Sequence, residues 1–547
     1  MSVFAEKLWG GLLDAMVPKR KLLAKLRARW GAVGDKDGYL ASRYFELIRY
    51  RSPGAWVDDK TWGDLEFPGI FAQMDTTLTP VGSQVLYARL REYDDDPEAL
   101  ARRYARCLAL AANAPLREAI QLRLARLADD SHADLAELLF GDRVERPARR
   151  TLIWGWGLLS LALLVLTVFF KFAAWPWLAV LLVNALVIFR RNWRQQREAE
   201  AMKHCATLLD VADRLAALRH LDAAPPELSR LEDERPKRAA VRRVLFWFAL
   251  MKIPPVFPVL FAILNLVFLT ELAIHAGTIE RFFRIRQKLA ATFALVGGID
   301  AAIAMASCLQ RQPRHCTPAF AGTRTLSVTD GRHPLLPGGV ANSIRLERKS
   351  ILVTGSNMAG KTTFINMLAC NAILGQTAGF CFAAAATLPR TTVLASIHGA
   401  HSVESGKSHY FAEIEAIDGF IRRGAQGHGM ILAIDEPFSG TNTVERIAVA
   451  RAVLESLGTH AIVLATTHDV ELQALLGDDY VLCHFQENPD VDGYFDYRLR
   501  PGPARARNAI RLLERMGFPR AITAHAMAYA EQEPQGGMPA AAGNRPG

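Results

Sequence analysis

Eight consecutive residues, Gly355-Ser356-Asn357-Met358-Ala359-Gly360-Lys361-Thr362, have the types and spacing for phosphate chemistry. They fill the pattern G-x-x-x-x-G-K-[ST] at every fixed position. Glycine lets such a loop curl, so that successive backbone N–H groups converge on phosphate oxygens. Lys361 can then reach the β- and γ-phosphates of a nucleotide, and the Thr362 hydroxyl can serve Mg²⁺. Thr363 completes the phosphate-binding run. Two acids, Asp435 and Glu436, end a second stretch, Met430-Ile-Leu-Ala-Ile434. An aspartate there can hold the Mg²⁺ shell, and a glutamate beside it can polarise an attacking water. His468 follows a third apolar run and can sense the γ-phosphate. A lone histidine is more often structural, so its role rests on its neighbours. ATP and Mg²⁺ are the expected cofactors, with Thr362 and Asp435 as metal ligands. Lys361 and Asp435 are expected to line the surface of the site.

The elements that must position these groups are legible around them. Ser350–Thr354 is a short β-branched and apolar run, and Thr363–Leu374 is helix-like. Strand, glycine loop and helix together are the context that makes the motif a site. Met430–Ile434 and Ala461–Ala465 read as buried parallel strands that end at the same place. The expected fold class is α/β, a phosphate-loop nucleotide hydrolase domain.

The order of these pieces resembles the MutS family of DNA mismatch-repair ATPases. Gly355 to Thr363 is similar to that family's G-P-N-M-x-G-K-[ST]-T loop, with Ser356 in the proline position. Gly331-Arg332-His333-Pro334, with Asn342 further on, resembles its G-R-H-P and A-N segment. Ser405-Gly406-Lys407-Ser408, leading to Phe411 and Glu413, resembles its S-G-x-S-x-F-x-x-E signature. Asp435-Glu436 with Gly440-Thr441-Asn442-Thr443 is similar to D-E-x-x-x-G-T-x-T, and Thr467-His468 matches the T-H switch. Asn508 to Ala524 resembles the helix pair that closes the family's ATPase domain. The resemblance implies catalytic roles for Glu436, His468 and Ser408, the last serving the site of a second copy in a homodimer. It also implies an aromatic adenine contact just before the A-N segment. Gly338-Gly339-Val340 stands there, so weaker base stacking and poorer discrimination between ATP and GTP are expected.

The resemblance reaches the N-terminal half. Asp64-Leu65-Glu66-Phe67, then Met74-Asp75-Thr76-Thr77-Leu78-Thr79-Pro80-Val81-Gly82-Ser83 and Leu90, is similar to the family's core-domain segment. Read by itself, Thr79-Pro80 is a helix entry, with threonine capping and proline early in the helix. Residues 278–312 resemble the returning helix of the same α-helical core, or lever, domain. That domain is therefore split by the material between.

That material is apolar. Leu152–Phe170 and Phe172–Phe189 are uncharged runs separated by Lys171. Each is close to the roughly 20 residues that a spanning helix needs. Arg146, Arg149 and Arg150 precede the pair; Arg190, Arg191 and Arg194 follow it. By the positive-inside rule both outer ends are cytoplasmic. A further apolar stretch, Val244–Ala276, is broken by Lys252, Pro254, Pro255 and Pro258. A core domain assembled from both sides of the insertion needs an even number of crossings. This stretch is then a second hairpin, a re-entrant segment or a buried helix. The expected place is a plasma (inner) membrane, multi-pass, with the ATPase domain in the cytoplasm and the bilayer as a partner.

Composition agrees. Half of the 547 residues are hydrophobic, and the mean hydropathy is +0.09. A net charge of +10 favours anionic partners such as nucleic acid or lipid headgroups. The seven cysteines form no C-x-x-C pair, so neither a zinc site nor a disulfide framework is expected, and the compartment is reducing. No secretory signal is read at the start. Lys19–Arg29 is a basic, leucine-punctuated helix that can touch phosphate on DNA or lipid, or simply face solvent.

The expected organisation is a basic segment at 1–39, core at 40–145, a transmembrane hairpin at 146–194 and a polar linker at 195–243. The second apolar segment follows at 244–277, core again at 278–325, ATPase domain at 326–530 and a tail at 531–547. The core segment begins by about residue 40, which leaves no room for the family's mismatch-recognition and connector domains; the hairpin stands where its clamp would be. Two functions follow. One is a membrane-anchored MutS-like ATPase that binds DNA. The other is an ATP-gated scaffold for a membrane or protein partner, without mismatch recognition. A transporter-type ATPase would carry many spans and a leucine-serine-glycine signature, and neither is read here.

Overall fold

The computed structural model describes residues 19–34, 36, 38–50, 55–129, 135–141, 150–251, 258–312, 314–322, 324–397, 409–427, 429–476, 479–486, 495–503 and 517–532. Two compact units divide the chain. The first takes residues up to 320 with 334–337 and 370–392; the second takes 321–333, 338–369 and 393 onward.

The first unit is helical. Its main helices are α1 (Lys19–Arg29), α2 (Pro80–Arg91), α3 (Pro97–Ala112), α4 (Ala114–Leu124), α5 (Arg150–Phe169), α6 (Ala174–Ala216), α7 (Pro226–Asp233), α8 (Arg235–Met251), α9 (Pro258–Phe268), α10 (Thr270–Ile285) and α11 (Ala290–Arg311). The entry to α2 is capped: the Thr79 hydroxyl accepts from Gly82 N at 2.8 Å, and Pro80 opens the helix. The same hydroxyl donates to Asp300 on α11 at 2.7 Å, and the Leu78 and Thr79 amides donate to that carboxylate at 3.1 and 2.9 Å. Helices α2 and α11 also meet through glycines. A Cβ on Gly82 would lie 2.3 Å from Asp300 Oδ2, and one on Gly297 would lie 2.5 Å from Val85 Cγ2. Residues on either side of the apolar insertion therefore pack as one core.

Three helical stretches among the described residues are long and apolar enough to cross a membrane. Their burial separates them. The stretch within Glu280–Arg311 is 78% buried by protein, whereas Leu152–Phe169 and Lys171–Phe189 are each 17% buried. The first is a core helix. The other two are a hairpin whose apolar surface faces outward, with the Lys171–Ala173 turn between α5 and α6. Helix α6 does not stop at the end of its apolar part: it runs for 43 residues, about 64 Å at 1.5 Å per residue, into the core.

Val244–Ala276 is not one helix. It is the end of α8, the eleven-residue α9 and the start of α10. At about 16 Å, α9 is roughly half the thickness of a hydrocarbon core. Its last carbonyls are met by a buried amide. Asn184 on α6 donates to Leu266 O at 2.7 Å and accepts from Trp156 Nε1 on α5 at 2.8 Å. Leu269 then turns the chain with φ of +50°, and Ile153, Leu269, Leu272 and Ala273 close a small apolar cluster. Asn184 is fully buried, so its amide is satisfied within the protein. Asn184→Leu keeps the branched side-chain skeleton and removes the amide, so it should destabilise the detergent-solubilised protein by about 1–2 kcal/mol. A melting temperature equal to the parent's would show that the amide holds nothing.

The second unit carries a six-stranded sheet. Its strands, in chain order with two strands of a second sheet, are β1 (Thr325–Gly331), β2 (Asn342–Glu347), β3 (Ser350–Thr354), β4 (Thr392–Ser396), β5 (Met430–Asp435), β6 (Ala461–Thr466), β7 (Tyr480–His484) and β8 (Arg500–Pro501). The sheet order is β8-β7-β3-β6-β5-β4. Strand β3 lies parallel to β6 and β7, β5 parallel to β6, and β8 antiparallel to β7. Strands β1 and β2 pair antiparallel. All residues of β3, β5 and β6 are buried, which explains their near-continuous apolar runs. Helices α12 (Lys361–Thr377), α13 (His409–Ala425), α14 (Thr443–Gly458) and α15 (Val470–Leu475) follow these strands, and a further helix spans Arg520–Gln532. Ile417, Phe420, Leu454 and Leu457 from α13 and α14 pack on Leu432, Ile434 and Val463 of the sheet. In such a sheet the ligand crevice lies beyond the carboxyl ends of the strands.

Candidate nucleotide site

Strand β3 delivers the chain to the glycine loop. Gly355 has φ of +134°, and a Cβ on it would lie 2.5 Å from the Phe485 carbonyl oxygen, so only glycine fits. Asn357–Ala359 form one 3-10 turn, and α12 starts at Lys361. The positive end of that helix therefore opens at the loop.

Lys361 is 1% exposed. Its Nζ donates to Gly355 O at 2.7 Å and lies 3.3 Å from His468 Nε2 and 3.7 Å from Glu436 Oε1. Burial holds its pKa below the usual lysine value, and the carboxylates of Glu436 and Asp435 offset that only in part. His468 Nε2 and Glu436 Oε1 are 2.5 Å apart. The Thr362 hydroxyl donates to Asp435, 3.0 Å from each carboxylate oxygen. The Thr466 hydroxyl bonds Asp435 as well, because the parallel register of β5 and β6 puts the two side by side. Glu436 N donates to Thr466 O at 3.2 Å. Glu436 itself has φ of +47°, a conformation side-chain-bearing residues adopt only when surroundings hold them.

Lys361, Thr362, Asp435, Glu436 and His468 thus meet at the carboxyl ends of β3, β5 and β6. The expectation that Lys361 and Asp435 line a surface is corrected: both are buried, because each is engaged by neighbouring site residues. The Ser356 hydroxyl is buried without a hydrogen-bond partner among the described residues, a donor free to meet a phosphate oxygen. Ala359 is buried, while Met358 and Thr363 are exposed. The Asn357 side chain and all of Ser408 lie outside the described residues. His333 of the G-R-H-P segment is held neutral by burial, its pKa pushed down to about 4.

Further contacts join the site that no spacing in the sequence reveals. Arg446 on α14 grips Asp469, next to His468, through two bonds of 2.8 and 2.6 Å. Thr467 N donates to Val353 O at 3.1 Å, tying the exit of β6 to β3. Asn342 donates to Tyr497 O at 3.0 Å and accepts from Leu499 N at 2.8 Å. It thereby holds the half-exposed Tyr497 ring beside the loop, 3.3 Å from where a Cβ on Gly360 would sit. An aromatic thus stands at the loop, from a segment far from Gly338-Gly339-Val340.

Residues 351–533 match the family MutS domain V. The DNA mismatch repair protein MutS of Thermus aquaticus is 30% identical over 255 residues, covering 46% of this chain and 31% of the relative. That of Geobacillus kaustophilus is 29% identical over 290 residues, covering 49% and 32%. That of Thermus thermophilus is 30% identical over 209 residues, covering 37% and 25%. The chain thus spans about a third or less of the length of these relatives. Residues 351–533 carry a MutS-family ATPase domain.

Proposed function

We propose that the protein is a MutS-like ATPase that binds and hydrolyses Mg-ATP as a homodimer, is held at a membrane by its hairpin, and acts on DNA. The buried cluster of Lys361, Thr362, Asp435, Glu436 and His468 carries this reading. Mg²⁺ would be held by Thr362 and Asp435, and when bound supplies charge neutralisation at the phosphates. The loop N–H groups and the Ser356 hydroxyl bind phosphate oxygens. Lys361 exchanges the Gly355 carbonyl for phosphate. Glu436, next to His468, orients water and accepts its proton. His468 donates to the γ-phosphate. Charge in the transition state spreads over the equatorial oxygens, so donors are needed on every side. Lys361 and His468 serve one side, and Ser408 of a second copy serves the other.

The exposed apolar side chains of the ATPase unit support a covered face: Met358 is 72%, Phe411 50% and Val444 75% exposed. Ser408→Ala should lower turnover on the order of 10²-fold, the loss that follows removal of one transition-state donor, and leave ATP affinity unchanged. Equal losses in binding and turnover would count against a site shared by two chains.

DNA as the partner is supported by α1. Its Arg27 is pinned to Glu118 of α4 at 2.7 and 2.9 Å, while Arg20, Lys21, Lys25 and Arg29 are exposed. Arg123 of α4 donates to Arg214 O on α6 at 3.0 Å, and Arg126, just past the end of α4, to Asp210 of α6 at 3.1 Å. That contact is about 30 Å along α6 from Phe189, the end of its apolar part. Cations at that depth are far from lipid headgroups. The second reading, an ATP-gated scaffold for a membrane or protein partner, is favoured by the unbroken α6, which joins the hairpin to the core. DNA affinity that falls steeply with salt supports the first. ATP-dependent changes in the hairpin with no DNA affinity support the second.

A further inference from the structure

We infer that Glu413 is a positioning residue for Glu436, an assignment that rests on the ATPase reading above. Glu436 and Phe438 both sit in the left-handed region, with φ of +47° and +62°. Two strained residues so close together relax unless the surroundings hold them. Thr466 holds the near side through the Glu436 amide. The far side is held by α13. The buried Glu413 carboxylate accepts a hydrogen bond from Phe438 N at 2.8 Å. A bond from an amide to a buried carboxylate is among the stronger kinds. One turn earlier Tyr410 meets the Phe438 ring edge-on, with centroids 6.5 Å apart. The same tyrosine leaves only 3.2 Å to the place of a Cβ on Gly440. Asn442 then caps α14 through Glu445 N at 3.0 Å.

The first two turns of α13 therefore clamp the 436–440 segment from outside, and Glu413 is the hydrogen-bonding part of that clamp. Without it the segment can return to ordinary φ. The Glu436 carboxylate then leaves its place 2.5 Å from His468 and 3.7 Å from Lys361. Glu413 touches neither water nor nucleotide; it acts through the backbone that carries Glu436. Helix α13 begins at His409, directly after Ser405–Ser408.

The test uses the full chain in detergent, with ATP turnover and ADP affinity measured on the same preparations. Glu413→Ala should lower kcat on the order of 10²-fold, as a small displacement of a catalytic group does, with KM and ADP affinity unchanged. Glu413→Gln keeps an oxygen acceptor for Phe438 N and should restore most of the turnover. Turnover by Glu413→Ala at the parent rate overturns the assignment. If Glu413→Ala no longer binds ADP, the Gln variant decides: parental turnover supports positioning, and lost turnover with intact ADP affinity overturns it. A parent protein that hydrolyses no ATP overturns the ATPase reading and this inference together. A parent that turns over beside an unaffected Glu413→Ala overturns the inference alone.

Discussion

Glu436→Gln should reduce ATP turnover by about 10²- to 10⁴-fold while ATP remains bound. The two side chains have the same shape, so the +47° backbone and the contact with His468 survive the change. What is lost is the ability to take a proton from water. The lost charge also lies 3.7 Å from Lys361, where it competes with phosphate for the ammonium. ATP affinity should therefore hold or rise. Equilibrium ATP binding and single-turnover hydrolysis on one preparation separate the two effects. Hydrolysis at the parent rate would remove Glu436 from the chemistry, and a parallel loss of binding would mean that the variant had disturbed the loop.

The residues read from sequence are those whose identity answers a local backbone demand. Gly355 reports its own φ and its closeness to Phe485. Thr79-Pro80 reports a capped helix entry, and the cap is present. Two acids at the end of a buried strand read equally well as a solvated turn; the phosphate loop upstream is what singles out Asp435 and Glu436. Contacts between distant segments left no such trace. Glu413 meets Phe438, Asn342 meets Tyr497 and Asn184 meets Leu266 only because the fold brings them together. Burial was misjudged for the same reason: Lys361 looks like a surface group until its carbonyl, histidine and carboxylate neighbours are in place. Within the apolar insertion, composition marked the hairpin. Lys252, Pro254, Pro255 and Pro258 mark the first break of Val244–Ala276, between α8 and α9, but composition could not show the second, because the turn at Leu269 needs no glycine or proline to announce it.

On the proposed reading, a nucleotide-hydrolysing unit is carried on a membrane hairpin, with the unit on one side and the Lys171–Ala173 turn on the other. Arginines flank both outer ends of the hairpin, and the core on which it stands is built from residues before and after it. The native cysteines give little background for thiol chemistry. Six are buried and Cys316 is half-buried. Burial raises their thiol pKa values, that of Cys107 to about 12. Phe172 at the turn and Val444 on the ATPase unit are both well exposed, so accessibility alone does not distinguish them. In intact cells, a cysteine at Phe172 should react with an impermeant thiol reagent from outside. A cysteine at Val444 should react only after the membrane is opened. Labelling of the Val444→Cys chain in intact cells, or recovery of the whole chain in the soluble fraction without detergent, would contradict the account.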